Sequence, residues 1–173
     1  MAFSPLVERL AAARIGETFN QYAHSNELCR RLDDYLVSRE EATLLLVGEA
    51  AGYRGARVSG LPFTSERQLN GTGPAEATAT IVHQVLAELG LTEHVLLWNV
   101  VPTHPHRPGA PRSNRAPTRA EMSVGKQFLA ELARGRRVVA VGRVAQVVVG
   151  DPYVRHPSHG GKTGFREGLA RLV

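Results

Sequence analysis

Thr43-Leu44-Leu45-Leu46-Val47-Gly48-Glu49-Ala50-Ala51-Gly52 is an apolar run that ends in a glycine-bearing turn. A run without polar alternation is the pattern of a strand covered on both faces, as in a parallel sheet. Near the other end of the chain, Val147 to Val149 and Tyr153-Val154 precede His156-Pro157-Ser158-His159-Gly160-Gly161. Both polar turns follow β-type runs, so a shared sheet edge would bring them into one crevice.

Working outward, Leu6, Leu10, Ala11 and Ile15 recur at helical spacing, as do Leu28, Leu32 and Leu36 behind a Ser25-Asn26 cap. Two helices therefore precede the first strand. Tyr53 to Thr72 has no clear period and reads as a long loop of the kind that carries function. Pro74 opens a helix through Ile81, Val82, Val85, Leu86 and Leu89, stopped by Gly90. Val95 to Val101 is a second buried strand, followed by an irregular stretch from Pro102 to Pro117. Thr118 and Glu121 form a capping box for a helix reaching Leu132. Val138 to Val141 is the third strand, Val144 to Val149 a short helix or turn, and Tyr153 to His156 the fourth strand. Strands alternating with helices imply a three-layer α/β/α fold around a central four-stranded, mostly parallel sheet. Ligands bind such sheets beyond the carboxyl ends of the strands, where Gly48-Glu49, Asn99, Gly142 and His156 fall.

A chain of 173 residues fits one domain, and residues 1–173 are read as a single unit. Lys and Arg outnumber Asp and Glu by 21 to 16, and the excess crowds toward the C-terminal half, from Arg107 to Arg166. That balance suits a polyanionic partner, with nucleic acid foremost, although a basic surface also serves solubility. Cys29 is the only cysteine, which excludes an internal disulfide and a four-thiolate metal site. With no run of roughly 20 apolar residues and no signal-peptide pattern, a soluble, cytoplasmic protein without membrane association is expected.

Gly48, Gly52 and Gly55 are not spaced as a dinucleotide fingerprint, and no phosphate-cradling G-x-x-x-x-G-K-[ST] exists in the chain, which argues against an ATPase. His104, His106, His156 and His159 could close a metal tetrahedron, but Pro105 stiffens the first pair and no carboxylate lies close in sequence. Hydrogen-bonding histidines are expected instead, with no metal and no cofactor.

Gly48-Glu49-Ala50-Ala51-Gly52, Gly60-Leu61-Pro62-Phe63, Trp98-Asn99-Val100-Val101, Asn114-Arg115-Ala116-Pro117, Val141-Gly142 and His156-Pro157-Ser158 follow one another in order and spacing. Together they resemble the uracil-DNA glycosylase superfamily over about Leu44 to Phe165. The resemblance implies that Phe63 stacks on a flipped base and that Asn99 reads the O4 and N3–H edge of uracil. It also implies that His156 faces uracil O2, where negative charge collects as the glycosidic bond breaks. Gly48, Ala50 and Tyr53 would complete the base pocket. Ser158, His159, Gly160, Gly161 and Lys162, with Arg107, would contact DNA, and the loop from His159 to Phe165 would occupy the space left by the flipped base.

The sequence departs from the family pattern in three places. Ala50 stands where many branches carry Asp or Asn, so Glu49, as in the branch with Glu second, is the expected carboxylate for orienting water and balancing oxocarbenium charge. Tyr53 is the reserve for positioning that water. Ala51 replaces a usual proline. The Glu-containing branch normally carries four cysteines around an iron-sulfur cluster, and this chain, with Cys29 alone, fits a side branch lacking it.

The expected activity is monofunctional: hydrolytic excision of uracil from single- or double-stranded DNA by a monomeric enzyme, leaving an abasic site. Two alternatives stand beside it. One is a non-catalytic binder of uracil-containing or abasic DNA, which Ala50 keeps open; the other is a glycosylase for hypoxanthine or xanthine.

Overall fold

The structure, a computed structural model, describes residues 3–173. Helix α1 (Pro5–Ala12) leads through β1 (Thr18–Phe19) and a 3-10 turn (Gln21–His24) into α2 (Asn26–Ser38). Ser25 caps α2 by accepting from the Leu28 amide at 3.2 Å. Ile15 lies beyond α1, buried in the turn that follows it.

The apolar run forms β2 (Leu44–Ala50), and Val95–Val101 forms β3. With β5 (Arg137–Val141) and β6 (Tyr153–Val154) they make one parallel four-stranded sheet in the order β3-β2-β5-β6. Strand side chains alternate between faces, and the two faces fill two cores. Leu45, Val47, Leu96, Trp98 and Val100 pack with residues of α1, α2 and α6 (Arg119–Leu132). Leu44, Leu46, Val95 and Leu97 pack with residues of α5 (Ala77–Glu88) and α8 (Lys162–Ala170). The three-layer α/β/α architecture is the one expected from the strand and helix pattern.

Helix α6 starts where the capping box places it: the Glu121 carboxylate accepts from the Thr118 amide at 2.8 Å and Thr118 Oγ1 accepts from the Glu121 amide at 3.2 Å. It lies tightly on β3, because a Cβ at Gly125 would come within 2.0 Å of the Val100 carbonyl oxygen.

Several elements differ from the sequence-based expectation. The segment Tyr53–Thr72 is not an irregular loop but holds two short helices, α3 (Ala56–Ser59) and α4 (Glu66–Asn70). Gln68 Oε1 reaches back to the Ser65 amide at 2.8 Å, and Gly71 ends α4 at φ +71°. Helix α5 begins at Ala77 rather than Pro74, since the Pro74 carbonyl is engaged by the Arg67 amide of α4. The short helix or turn expected over Val144 to Val149 is α7 (Arg143–Val149), so the β-like composition of Val147 to Val149 does not make a strand. Strand β6 stops at Val154, whose carbonyl accepts from the Gly142 amide at 3.0 Å, and Arg155-His156 leave the sheet there. β1 also pairs antiparallel with β4 (His104–Pro105), ordering part of the stretch expected to be irregular. No described helix is long and apolar enough to cross a membrane.

Candidate functional site

A cavity of about 180 Å³ opens at the carboxyl ends of the sheet strands, lined by residues that include Glu49, Ala50, Phe63, Asn99 and His156. Its floor is built where β2 and β3 pair Gly48 with Asn99. Gly48 continues the face of Leu44 and Leu46, and only hydrogen fits there: a Cβ would lie 2.3 Å from Phe63 Cζ and 2.9 Å from Asn99 Oδ1. Glycine at position 48 thus lets the Phe63 ring lie on bare backbone. Phe63 itself sits in the left-handed region at φ +52°, a conformation that costs a non-glycine residue roughly 1–2 kcal/mol. Asn99 is buried, yet its side-chain amide makes no hydrogen bond among the described residues, leaving a donor and an acceptor available at the cavity.

The opposite wall carries His156. The Ser158 backbone amide, which can only donate, reaches His156 Nδ1 at 3.2 Å, and Ser158 Oγ lies 2.7 Å from the same nitrogen. Nδ1 therefore bears the lone pair, and in the neutral ring Nε2 carries the proton. Burial, helped by neighbouring His159, holds the His156 pKa below the ordinary 6.5 and keeps the ring neutral at pH 7. The result is a neutral N–H donor with fixed orientation. The turn behind it closes tightly, since a Cβ at Gly161 would lie 2.0 Å from the His156 carbonyl oxygen.

Two carboxylates enter the cavity, Glu49 from the end of β2 and Glu76 from the start of α5. Neither makes a side-chain hydrogen bond or ion pair among the described residues, and burial raises the pKa of each above the ordinary 4.5. Arg115, the one lysine or arginine among the described residues at this cavity, is already engaged: its guanidinium donates to both Glu121 oxygens at 2.8 and 2.6 Å and to the His106 carbonyl at 2.9 Å. Asn114 Oδ1 accepts from the Tyr53 amide at 3.0 Å and ties the first turn to the loop before α6. His104 Nδ1 donates to the Ala51 carbonyl at 2.8 Å and supports the same turn from beneath.

The structure thus brings Glu49, Ala50, Phe63, Asn99 and His156 to one cavity, with Gly48 directly under the Phe63 ring. Tyr53 does not line it; its ring lies under the Arg54 guanidinium, 5.3 Å from ring centroid to Cζ. Ser158, His159, Gly160 and Gly161 form the turn at the His156 wall, where His159 takes a left-handed φ of +51°. Lys162 opens α8, with Nζ 3.9 Å from Glu88, so the expected DNA-contacting loop ends earlier than Phe165. Phe165 is wholly buried against the sheet and is not available to fill a duplex. Arg107 is exposed at the tip of the turn between β4 and α6. The four histidines considered for a metal do not converge. His104 stacks on His106 with centroids 5.8 Å apart, His156 and His159 share Ser158 Oγ, and no group of three or more His, Cys, Asp or Glu among the described residues is arranged to hold an ion. Among the polar residues of the lining that the motifs do not assign to the site are Glu76, Thr78, Asn114 and Arg115; Asn114 and Arg115 stand within the Asn114-Arg115-Ala116-Pro117 motif, and Glu76 and Thr78 in none.

A family model described as the uracil DNA glycosylase superfamily matches residues 36–169. No curated protein matches the chain. Among solved structures, the crystal structure of wild-type Pedobacter heparinus SMUG2 is similar, with a TM-score of 0.67 at 11% identity over 96% of each chain, a likeness of fold. With its six sequence motifs spread along the region that the family model spans, the chain belongs to the uracil DNA glycosylase superfamily and is a DNA glycosylase.

Proposed function

We propose that the chain excises uracil from DNA as a monofunctional glycosylase, flipping the nucleotide into the cavity described above and leaving an abasic site. The observation that carries this reading is that Phe63, Asn99 and His156 line one cavity, where a ring, a side-chain amide and an imidazole are three groups suited to hold a base. A flipped pyrimidine needs a π face to stack on, and Phe63 supplies it. Asn99 accepts from N3–H and donates to O4 with its two amide ends. His156 donates to O2.

The chemistry follows from charge. As the bond from C1′ to N1 lengthens, the sugar becomes positive and the base negative. A preoriented neutral donor at O2 stabilises the departing anion, and losing one such donor typically costs about 3–4 kcal/mol of barrier. Glu49, a carboxylate without a protein partner, offsets the oxocarbenium charge and orients water. No lysine among the described residues lines the cavity, which supports hydrolysis over Schiff-base lyase chemistry.

The test is single-turnover excision from oligonucleotides carrying uracil, hypoxanthine or xanthine, single- and double-stranded, with alkali to reveal abasic sites. Uracil release that falls by two or more orders of magnitude in both Glu49→Gln and His156→Ala is the expected result. Release confined to a deaminated purine would reassign the substrate, and tight binding without any release would make the chain a damage-binding protein.

A further inference from the structure

Glu76 is the N-cap residue of α5, yet its side chain makes no capping hydrogen bond. At an N-cap a side-chain oxygen ordinarily accepts from the second or third amide of the helix. Instead the carboxyl group lies in a notch between Gly52, which ends the first motif, and Gly55 in the turn that follows it. A Cβ at Gly52 would stand 2.5 Å from Glu76 Oε2, and one at Gly55 would stand 2.3 Å from it. The notch exists because both positions lack a side chain. It supplies no hydrogen bond: the Glu76 carboxyl has no donor and no cation among the described residues, and it lines the same cavity as Glu49, Asn99 and His156. A half-buried carboxylate that forgoes both its cap and any partner is held there at a cost, since burying a charge without compensation is unfavourable.

Hydrolysis gives this site two tasks that one carboxylate performs poorly together. A carboxylate that takes up the proton of the attacking water becomes neutral and ceases to offset the positive sugar. We propose that Glu76 is a second catalytic carboxylate, the base that receives the proton of the nucleophilic water, while Glu49 remains ionised beside the oxocarbenium ion. This rests on the uracil-excision reading above and divides its labour. In the step, the water oxygen bonds to C1′ and the C1′–N1 bond breaks with its electron pair leaving on the base. The base anion is held at O2 by His156 Nε2–H. One water proton passes to Glu76 Oε, and from there to solvent as product departs. A carboxyl group lacking donors suits the role, because hydrogen bonds to its charged form would lower its basicity.

The experiment measures single-turnover release of uracil from a labelled single-stranded oligonucleotide. It uses wild type, Glu76→Gln, Glu76→Ala, Gly52→Ala and the Gly52→Ala/Glu76→Ala double variant, with oligonucleotide affinity and melting temperature recorded for each. Glu76→Gln is expected to slow release by about 10²–10⁴-fold, the range for a removed general base, with affinity and melting temperature held. Gly52→Ala, whose new methyl group collides with Oε2, should slow release when Glu76 is present and add nothing in the Glu76→Ala background. That non-additivity marks the notch as acting through the carboxylate. Wild-type release in Glu76→Gln would overturn the proposal while leaving the excision reading intact. So would a loss of rate matched by lost folding or binding in both Glu76 variants. A wild-type protein that releases no uracil would overturn both.

Discussion

At Phe63, backbone strain and the architecture of the cavity meet in one residue. Its φ of +52° is one that glycine adopts freely and other residues avoid, and its ring lies over Gly48 at the cavity floor. Two truncations separate these effects. Phe63→Ala removes the ring but keeps a Cβ in the left-handed region, whereas Phe63→Gly removes both. Loss of a buried phenylalanine ring costs about 3–5 kcal/mol, and relief of the left-handed penalty returns roughly 1–2 kcal/mol. Phe63→Gly is therefore expected to be more stable than Phe63→Ala by about 1 kcal/mol in urea unfolding, the reverse of the usual ranking in helices and strands. Equal midpoints, or a more stable alanine variant, would contradict the backbone argument. Both variants should lose most excision activity. Phe63, Asn99 and His156 were legible because each sits in a motif with local chemical logic. Glu76 was not, because its meaning depends on a helix start folding against glycines some twenty residues earlier, and a lone Glu before Ala77 carries no such signal.

Among elements, α6 ties the site to the fold. Its N3 residue Glu121 is almost wholly buried, caps the Thr118 amide and receives two bonds from Arg115 at the cavity edge. The Arg115 guanidinium and the Thr118 amide hold its carboxyl at about 2, against an ordinary 4.5. A carboxyl with a depressed folded-state pKa contributes stability that is fully present above its unfolded pKa and is lost as pH falls through its folded value. For Glu121 that window runs from about pH 5 down to about pH 2, and the contribution at neutral pH is roughly 3 kcal/mol by linkage. Glu121→Gln is expected to lower the melting temperature clearly at pH 7, with the gap from wild type shrinking as pH drops through that window. A gap independent of pH would assign the loss to packing instead. The capping box and the apolar runs of β2 and β3 could be read directly, because local residues dictate them. The helices α3, α4 and α8 and the β1–β4 pair were missed. The helices carry mixed composition, two of them too short for a clear period, while each strand of the pair is two residues that exist only through its distant partner.

Across the whole molecule, the count of 21 Lys and Arg overstates the cations available to DNA. Arg115 is bound to Glu121, Arg31 to Glu27 and Glu66, and Arg136 donates to the carbonyls of Ala42, Leu132 and Glu40. These cations build the protein rather than its surface field. Exposed Arg107, which makes no salt bridge among the described residues, stands on the loop whose base supplies Pro105, Asn114 and Arg115 to the cavity. A cation placed there is expected to meet backbone phosphate beside a flipped base, not a base edge. Phosphate contacts release counterions, so affinity should fall log-linearly with salt, with a slope of about −0.7 to −0.9 per phosphate neutralised. Arg107→Ala is expected to weaken binding to uracil-containing and uracil-free oligonucleotides alike and to reduce the salt slope by about 1. Fluorescence anisotropy across a salt series measures both quantities. An unchanged slope would remove Arg107 from the DNA surface, and a loss confined to uracil-containing DNA would place it at the base instead of the backbone.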